Sequence, residues 1–244
     1  MKRFLILQLR PETEASDAEY ASILDKTGLS TDQTHRIRLD CQGLPAGLDV
    51  ADYAGVIVGG GPGCVSDDPA TKSEMDASIE AAIMGLMPQI TANDHPFMGC
   101  CYGLGILAAH LGGDVSKKQF GEPVGPSTCQ LTDEGALDPL TAGLGDSFEA
   151  FVGHKEAVQS LPDGCVHLLA SNPCPFQMIR WGKNVYATQF HPEANAQDFE
   201  QRINIYKDFG YFPPEDAQRL IDICHAAEVT KPGEILRRFA QRYM

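Results

Sequence analysis

The chain has 244 residues, 43% hydrophobic and 21% charged, an ordinary globular composition that excludes disorder and is long enough for one sizeable α/β core. Nineteen basic against 33 acidic side chains give a formal net charge of −14, which excludes recruitment by nucleic acid or an anionic membrane and serves solubility. No stretch approaches the roughly 18 apolar residues of a membrane span.

The start, Met1 to Arg10, carries a basic pair and a short apolar run. Arg10, Pro11 and Glu12 interrupt that run and no small-residue cleavage site follows, so it reads as a first buried strand, Phe4–Leu9, in a cytoplasmic protein. His35–Leu39 is a second strand and Gly55–Val58 a third, stopping at Gly59-Gly60-Gly61-Pro62-Gly63. From Ser73 to about Met87, Met75, Ile79, Ala82, Ile83 and Leu86 recur at helical spacing, with Pro88 and Asn93-Asp94 marking the end. Pro96–Met98 is a brief strand before Gly99-Cys100-Cys101-Tyr102-Gly103, and Leu104–Leu111 an apolar helix closed by Gly112-Gly113. Strands then follow near Thr128–Leu131, Ser147–Val152, Val166–Ala170, Gln177–Trp181 and Val185–Phe190, with helices from about Ala196 onward. Alternation in the first half and strands in the second predict a parallel sheet with an antiparallel extension. The apolar stripes of Ala217–Ala227 and Glu234–Tyr243 pack on the same domain, which spans 1–244 with 209–244 as a helical tail.

Eight cysteines stand at 41, 64, 100, 101, 129, 165, 174 and 224. With no Cys-x-x-Cys pair and no Cys/His cluster at zinc-finger spacing, most read as reduced, buried thiols. Acidic pairs such as Asp67-Asp68 lack companion ligands, so no metal is implied. One cysteine differs. A nucleophile elbow is a strained strand-to-helix turn that needs minimal residues two before and two after the nucleophile. Gly99 and Gly103 flank Cys101 in that way, whereas Met98 and Tyr102 flank Cys100. A helix N-terminus would also lower the Cys101 pKa and favour thiolate.

Among seven histidines only His191, in His191-Pro192-Glu193, has a suitable companion. Residues i and i+2 of extended chain point the same way, about 7 Å apart, and a slight bend lets the carboxylate reach the ring nitrogen facing away from the thiol. The glycine loop lacks the Lys-Ser/Thr of a phosphate loop and the Rossmann glycine spacing, so nucleotide binding has no support. It is instead placed to give a backbone donor to an oxyanion, and Pro62, lacking an N–H, points to Gly61.

Together and in this order, Gly-Gly-Pro, Gly-x-Cys-x-Gly and His-Pro-Glu resemble the class I (triad) glutamine amidotransferases, stand-alone proteins related to the glutaminase domain of GMP synthase, from Phe4 to about Glu193. The resemblance implies a flavodoxin-like, doubly wound α/β fold whose mainly parallel central sheet holds the site at its carboxyl ends. It implies Cys101 as nucleophile, His191 as base, Glu193 as orienting acid, and the N–H groups of Gly61 and Tyr102 as oxyanion donors. Substrate contacts fall at Gly60, Gly61, Tyr102, Gly105 and the loop residues His154, Lys155 and Glu156, with His154 mainly structural. Where the family has glutamine four residues after the nucleophile, this chain has Gly105, which loosens substrate preference without touching the chemistry. The function expected is hydrolysis of glutamine's γ-carboxamide through a cysteinyl thioester, without a cofactor, supplying ammonia to a separate ATP-dependent synthetase. The alternatives are a γ-glutamyl peptide hydrolase acting alone and an inactive regulatory relative.

Overall fold

The computed structural model describes residues 2–209 and 212–244. Its first strand, β1 (Phe4–Gln8), pairs in parallel with β2 (Thr34–Arg38) on one side and β3 (Gly55–Val58) on the other. β4 (Phe97–Cys100) and β11 (Val185–Thr188) continue the parallel order, so the sheet runs β2-β1-β3-β4-β11 before it turns antiparallel. The antiparallel extension is β10 (Met178–Trp181), β9 (Cys165–Ala170), β6 (Glu122–Leu131) and β7 (Ser147–His154). A two-stranded ladder of β5 (Val115–Ser116) and β8 (Ala157–Val158) lies apart from it.

Period-two alternation sends Phe4 and Ile6 to one face and Leu5 and Leu7 to the other. The first face packs against α1 (Thr13–Thr27) and α7 (Pro232–Tyr243) through Ile23, Ile235, Leu236 and Phe239. The second packs against α2 (Glu74–Ala92) and α3 (Tyr102–His110) through Ile79, Ile83, Leu104 and Leu107. Both faces are covered, as a doubly wound sheet requires, and each such buried side chain contributes about 1.5–3 kcal/mol. Phe151 and Ile203 join a third cluster in which α5 (Ala196–Tyr206) and α6 (Ala217–Ala226) close over the β7 end of the sheet.

Four stretches depart from the sequence reading. Helix α2 runs through Pro88 to Ala92. Pro88 lies on the exposed side of the helix, and buried Ile90 prolongs the apolar stripe. Strand β6 begins at Glu122 despite Pro123 and Pro126, because only Gln130 and Leu131 pair with β9 and the earlier residues have one free edge. β11 ends at Thr188 rather than Phe190, which releases residues 189–194 to bend. Helix α1 was not expected at all, because its buried face includes Ser16, Glu19, Ser22 and Thr27 as well as Ala15 and Ile23. That polar inner face supports the site.

Candidate active site

β1, β3, β4 and β11 are adjacent and parallel, so the segments leaving their carboxyl ends meet at one edge of the sheet. These segments carry Arg10, Gly59 to Gly63, Cys101 and Gln189 to Glu193 respectively.

The two adjacent thiols have different surroundings. Cys100 completes β4, is fully buried, and burial pushes its thiol well above the ordinary range. Cys101 sits at the N-cap of α3 with φ 53° and ψ −92°, a positive φ that a β-carbon disfavours. Its N–H donates to the Thr188 carbonyl at 2.7 Å, which ties the turn to the end of β11. Close approach makes Gly99 obligatory: a β-carbon there would stand 2.8 Å from the carbonyl carbon of Gly103. At Gly103 the nearest atom to such a carbon, on Val58, is 3.7 Å away. Gly99→Ala is therefore expected to lower unfolding free energy by about 1–3 kcal/mol, and Gly103→Ala by about 1 kcal/mol or less. Equal losses in chemical denaturation would refute this account of the turn.

His191 emerges from the bend after β11, its N–H donating to the Phe151 carbonyl at 2.9 Å. Its Nδ1 lies 2.8 Å from Glu193 Oε1, so the bend does what extended chain cannot and the carboxylate fixes the ring. Glu193 is fully buried and also accepts from Arg202 Nη2 of α5 at 2.9 Å. Burial would raise its pKa, but His191 and Arg202 hold it well below the usual carboxylate range. Arg202 comes within 3.9 Å of Glu19 of α1, which accepts from Arg10 Nε at 3.0 Å and from the Gly60 N–H at 3.2 Å. One buried network thus holds both the acid beside His191 and the glycine loop. The residue types alternate in sign, which lets the charges stay buried.

Burial pushes the Cys101 thiol up to about 12, with Arg10 pulling down and Glu193 adding to the rise. Burial likewise lowers the His191 pKa, against the opposing effect of Glu193. Burial thus works against the lowering of the thiol that the helix N-terminus was expected to provide. The arrangement suits proton transfer from sulfur to ring during attack.

Cys101 opens onto two cavities. One, of about 50 Å³, is shared with His191, Arg10, Arg202 and the apolar side chains of Val124, Phe199, Ile203 and Phe212. The other, of about 30 Å³, is lined with Tyr102, Gln189, His154, Lys155 and Glu156. Gly61 lines both. No protein acceptor takes the N–H of Gly61 or Tyr102 among the described residues, so both remain available beside the sulfur. Gly60 is different. Its N–H is held by Glu19, and a β-carbon there would be 2.6 Å from His191 Cε1, so it serves as the floor under the ring rather than as a substrate contact. Gly105 also lines neither cavity. His154 is buried between the Glu156 carbonyl, 2.8 Å from Nδ1, and Glu122 Oε2, 2.9 Å from Nε2, a structural placement. Glu122, His154 and Cys174 offer possible ligand atoms within 4.8 Å of one another. Ser127, Ser171, Gln177 and His154 already occupy both oxygens of Glu122, so the group is a hydrogen-bond hub.

A sequence model of the family "Glutamine amidotransferase class-I" matches residues 27–209. The chain belongs to this family. Among relatives of this amidotransferase, the glutamine-hydrolyzing GMP synthase of Thermosipho melanesiensis is 36% identical over 110 residues, covering 44% of this chain and 20% of that protein. A subunit of the glutamine-hydrolyzing GMP synthase of Natronomonas pharaonis is 28% identical over 159 residues, 64% of this chain and 76% of that one. The chain thus spans about a fifth to a quarter of the full-length GMP synthases it matches. A glutamine amidotransferase of Thermotoga maritima shares the fold, with a TM-score of 0.77 at 20% identity over 100% of this chain and 98% of that one. One from Methylobacillus flagellatus gives 0.73 at 21% identity, over 100% and 94%.

Sequence reasoning missed several residues around Cys101 and His191. Gln189, whose Nε2 points to Cys101 Sγ at 3.9 Å, was absorbed into the strand pattern. Arg10 stood out only as the charge ending an apolar run. Glu19 and Arg202 carried no signal, since a charged residue in a helix is ordinarily solvated. No helix among the described residues is long and apolar enough to cross a membrane.

Proposed function

We propose that the chain hydrolyses the γ-carboxamide of glutamine, with Cys101 as nucleophile, His191 as base and Glu193 as orienting acid. One observation carries this reading: a strained elbow thiol opens onto the same cavity as a histidine whose far nitrogen is held 2.8 Å from a buried carboxylate. His191 Nε2 takes the sulfur's proton as the thiol attacks the amide carbon, and the N–H groups of Gly61 and Tyr102 hold the oxyanion. The same nitrogen returns the proton to the departing ammonia, leaving a γ-glutamyl thioester. Water, deprotonated by His191, then releases glutamate. Ammonia leaves on the His191 side, into the larger cavity. Relatives named as glutamine-hydrolyzing GMP synthases support glutamine over γ-glutamyl peptides as substrate. The relative from Natronomonas pharaonis, named as a subunit, supports delivery of ammonia to a distinct ATP-dependent synthetase.

The test is release of ammonia and glutamate from glutamine across pH, with γ-glutamyl peptides as comparison. Because burial depresses the His191 pKa, the base is functional above that pKa and lost as pH falls through it. The acid limb of kcat/KM is expected below the roughly 6.5 of an exposed histidine, and the thiol, at about 12, adds no second limb in the neutral range. No turnover with glutamine, faster turnover of peptides, or an acid limb displaced upward each counts against the proposal.

A further inference from the structure

Two side chains of the bend after β11 flank Cys101. His191 meets it in the larger cavity and Gln189 in the smaller one. Phe190, between them, points the opposite way into the core, where it is fully buried and packs edge-on to Phe148. This is the alternation of extended chain carried past the end of the strand. The backbone fixes it. The Gln189 N–H donates to the Gln177 carbonyl at 2.8 Å, the His191 N–H donates to the Phe151 carbonyl, and the Thr188 carbonyl accepts from Cys101 itself. The segment that delivers the imidazole therefore also delivers a carboxamide to the other side of the sulfur.

Gln189 is 3% exposed, and its Nε2 points to Cys101 Sγ at 3.9 Å. No other protein group bonds to that side-chain carboxamide among the described residues. Burying an amide is costly unless its hydrogen bonds are used, so the contact with sulfur needs a purpose. When the thiol proton passes to His191 Nε2, the sulfur is left with a negative charge that burial disfavours. Arg10, which pulls the other way, lies on the His191 side. On the opposite side the Gln189 N–H is the donor at hand. Hydrogen bonds to an ionised acceptor are shorter and roughly twice as strong as neutral ones, so this contact would tighten as the charge forms.

We infer that Gln189 is a further catalytic residue: its side-chain N–H stabilises the Cys101 thiolate as the proton moves to His191, and holds the same sulfur again when it leaves the thioester. The inference rests on the reading of Cys101 as nucleophile. The test follows alkylation of Cys101 by iodoacetamide at neutral and mildly alkaline pH, a rate that tracks thiolate and needs no glutamine. Peptide mass spectrometry locates the adduct, because exposed Cys41 also reacts. Gln189→Met, which keeps the length and removes the donor, is expected to slow alkylation roughly 10- to 100-fold, the range for a hydrogen bond to a charged group. Gln189→Glu, which donates when protonated and repels when ionised, should lose ground to wild type as pH rises. In ammonia release the loss should fall on kcat, with KM for glutamine nearly unchanged. Denaturant unfolding checks that each variant is folded; should neither fold, Gln189→Asn, which withdraws the carboxamide by one methylene, is read in the same way. Alkylation of the folded variants at the wild-type rate overturns the inference. A raised KM with alkylation unchanged overturns it as well, and makes Gln189 a substrate contact. If the wild-type protein releases no ammonia while the alkylation differences persist, the proposed hydrolysis falls and the role of Gln189 at the sulfur stands.

Discussion

Cys101→Ala is expected to lower glutamine hydrolysis by at least about 10⁴-fold, the scale on which removal of a covalent nucleophile acts. Folding should survive. The side chain is small and faces a cavity, and nothing in the buried network depends on its sulfur. The turn itself supplies a second readout, because φ 53° at Cys101 is strained for any residue with a β-carbon. Cys101→Gly should therefore unfold about 1 kcal/mol less readily than Cys101→Ala while being equally inactive. Thermal or denaturant unfolding compared with ammonia release separates the two effects. Residual activity near wild type in either variant would transfer the chemistry to another group.

Glu193→Gln is expected to reduce kcat by about 10³- to 10⁴-fold, because the ring loses the charge that stabilises imidazolium and fixes its tautomer. KM should change little, since Glu193 lines neither cavity. Stability should fall as well, by about 3–5 kcal/mol, because Arg202 would be left buried with only Glu19, 3.9 Å away, as counter-charge. Adding Arg202→Met removes that stranded cation and should restore much of the stability without restoring the rate. If the double variant regained activity together with stability, Glu193 would be a structural residue whose loss merely disordered the bend.

The parts of the site carried by short-range backbone rules were legible before any coordinates. Glycine spacing singled out Cys101 over Cys100 as the residue at the turn, and His191-Pro192-Glu193 offered the imidazole and carboxylate that the fold holds 2.8 Å apart. Alternation between strand-like and helix-like runs was enough for the parallel half of the sheet. What escaped depended on distant partners. Helix α1 was invisible because its inner face must be polar to reach Gly60, Arg10 and, through Ser22 at 2.7 Å, Asp198. Arg202 acquires meaning only when α5 folds back onto the bend after β11. The desolvation that pushes the Cys101 thiol up was not legible either, because helix position can be read from a sequence whereas burial by distant segments cannot. Gly105 was legible as a loss, but the crowding of its position by Glu156, whose Oε1 would lie 3.0 Å from a β-carbon there, was not, since the two residues lie on different elements.

The glycine loop limits how this site can vary. A β-carbon at Gly59 would fall 2.3 Å from Glu19 Oε2, and one at Gly60 would meet His191 Cε1. Each position is therefore blocked by a different neighbour, and enlarging either residue would displace a member of the machinery before it touched a ligand. Changes that retune selectivity must enter from the opposite bank, through residues 62–66 and 153–156. A library confined to those two segments would explore new recognition on an unchanged reactive centre.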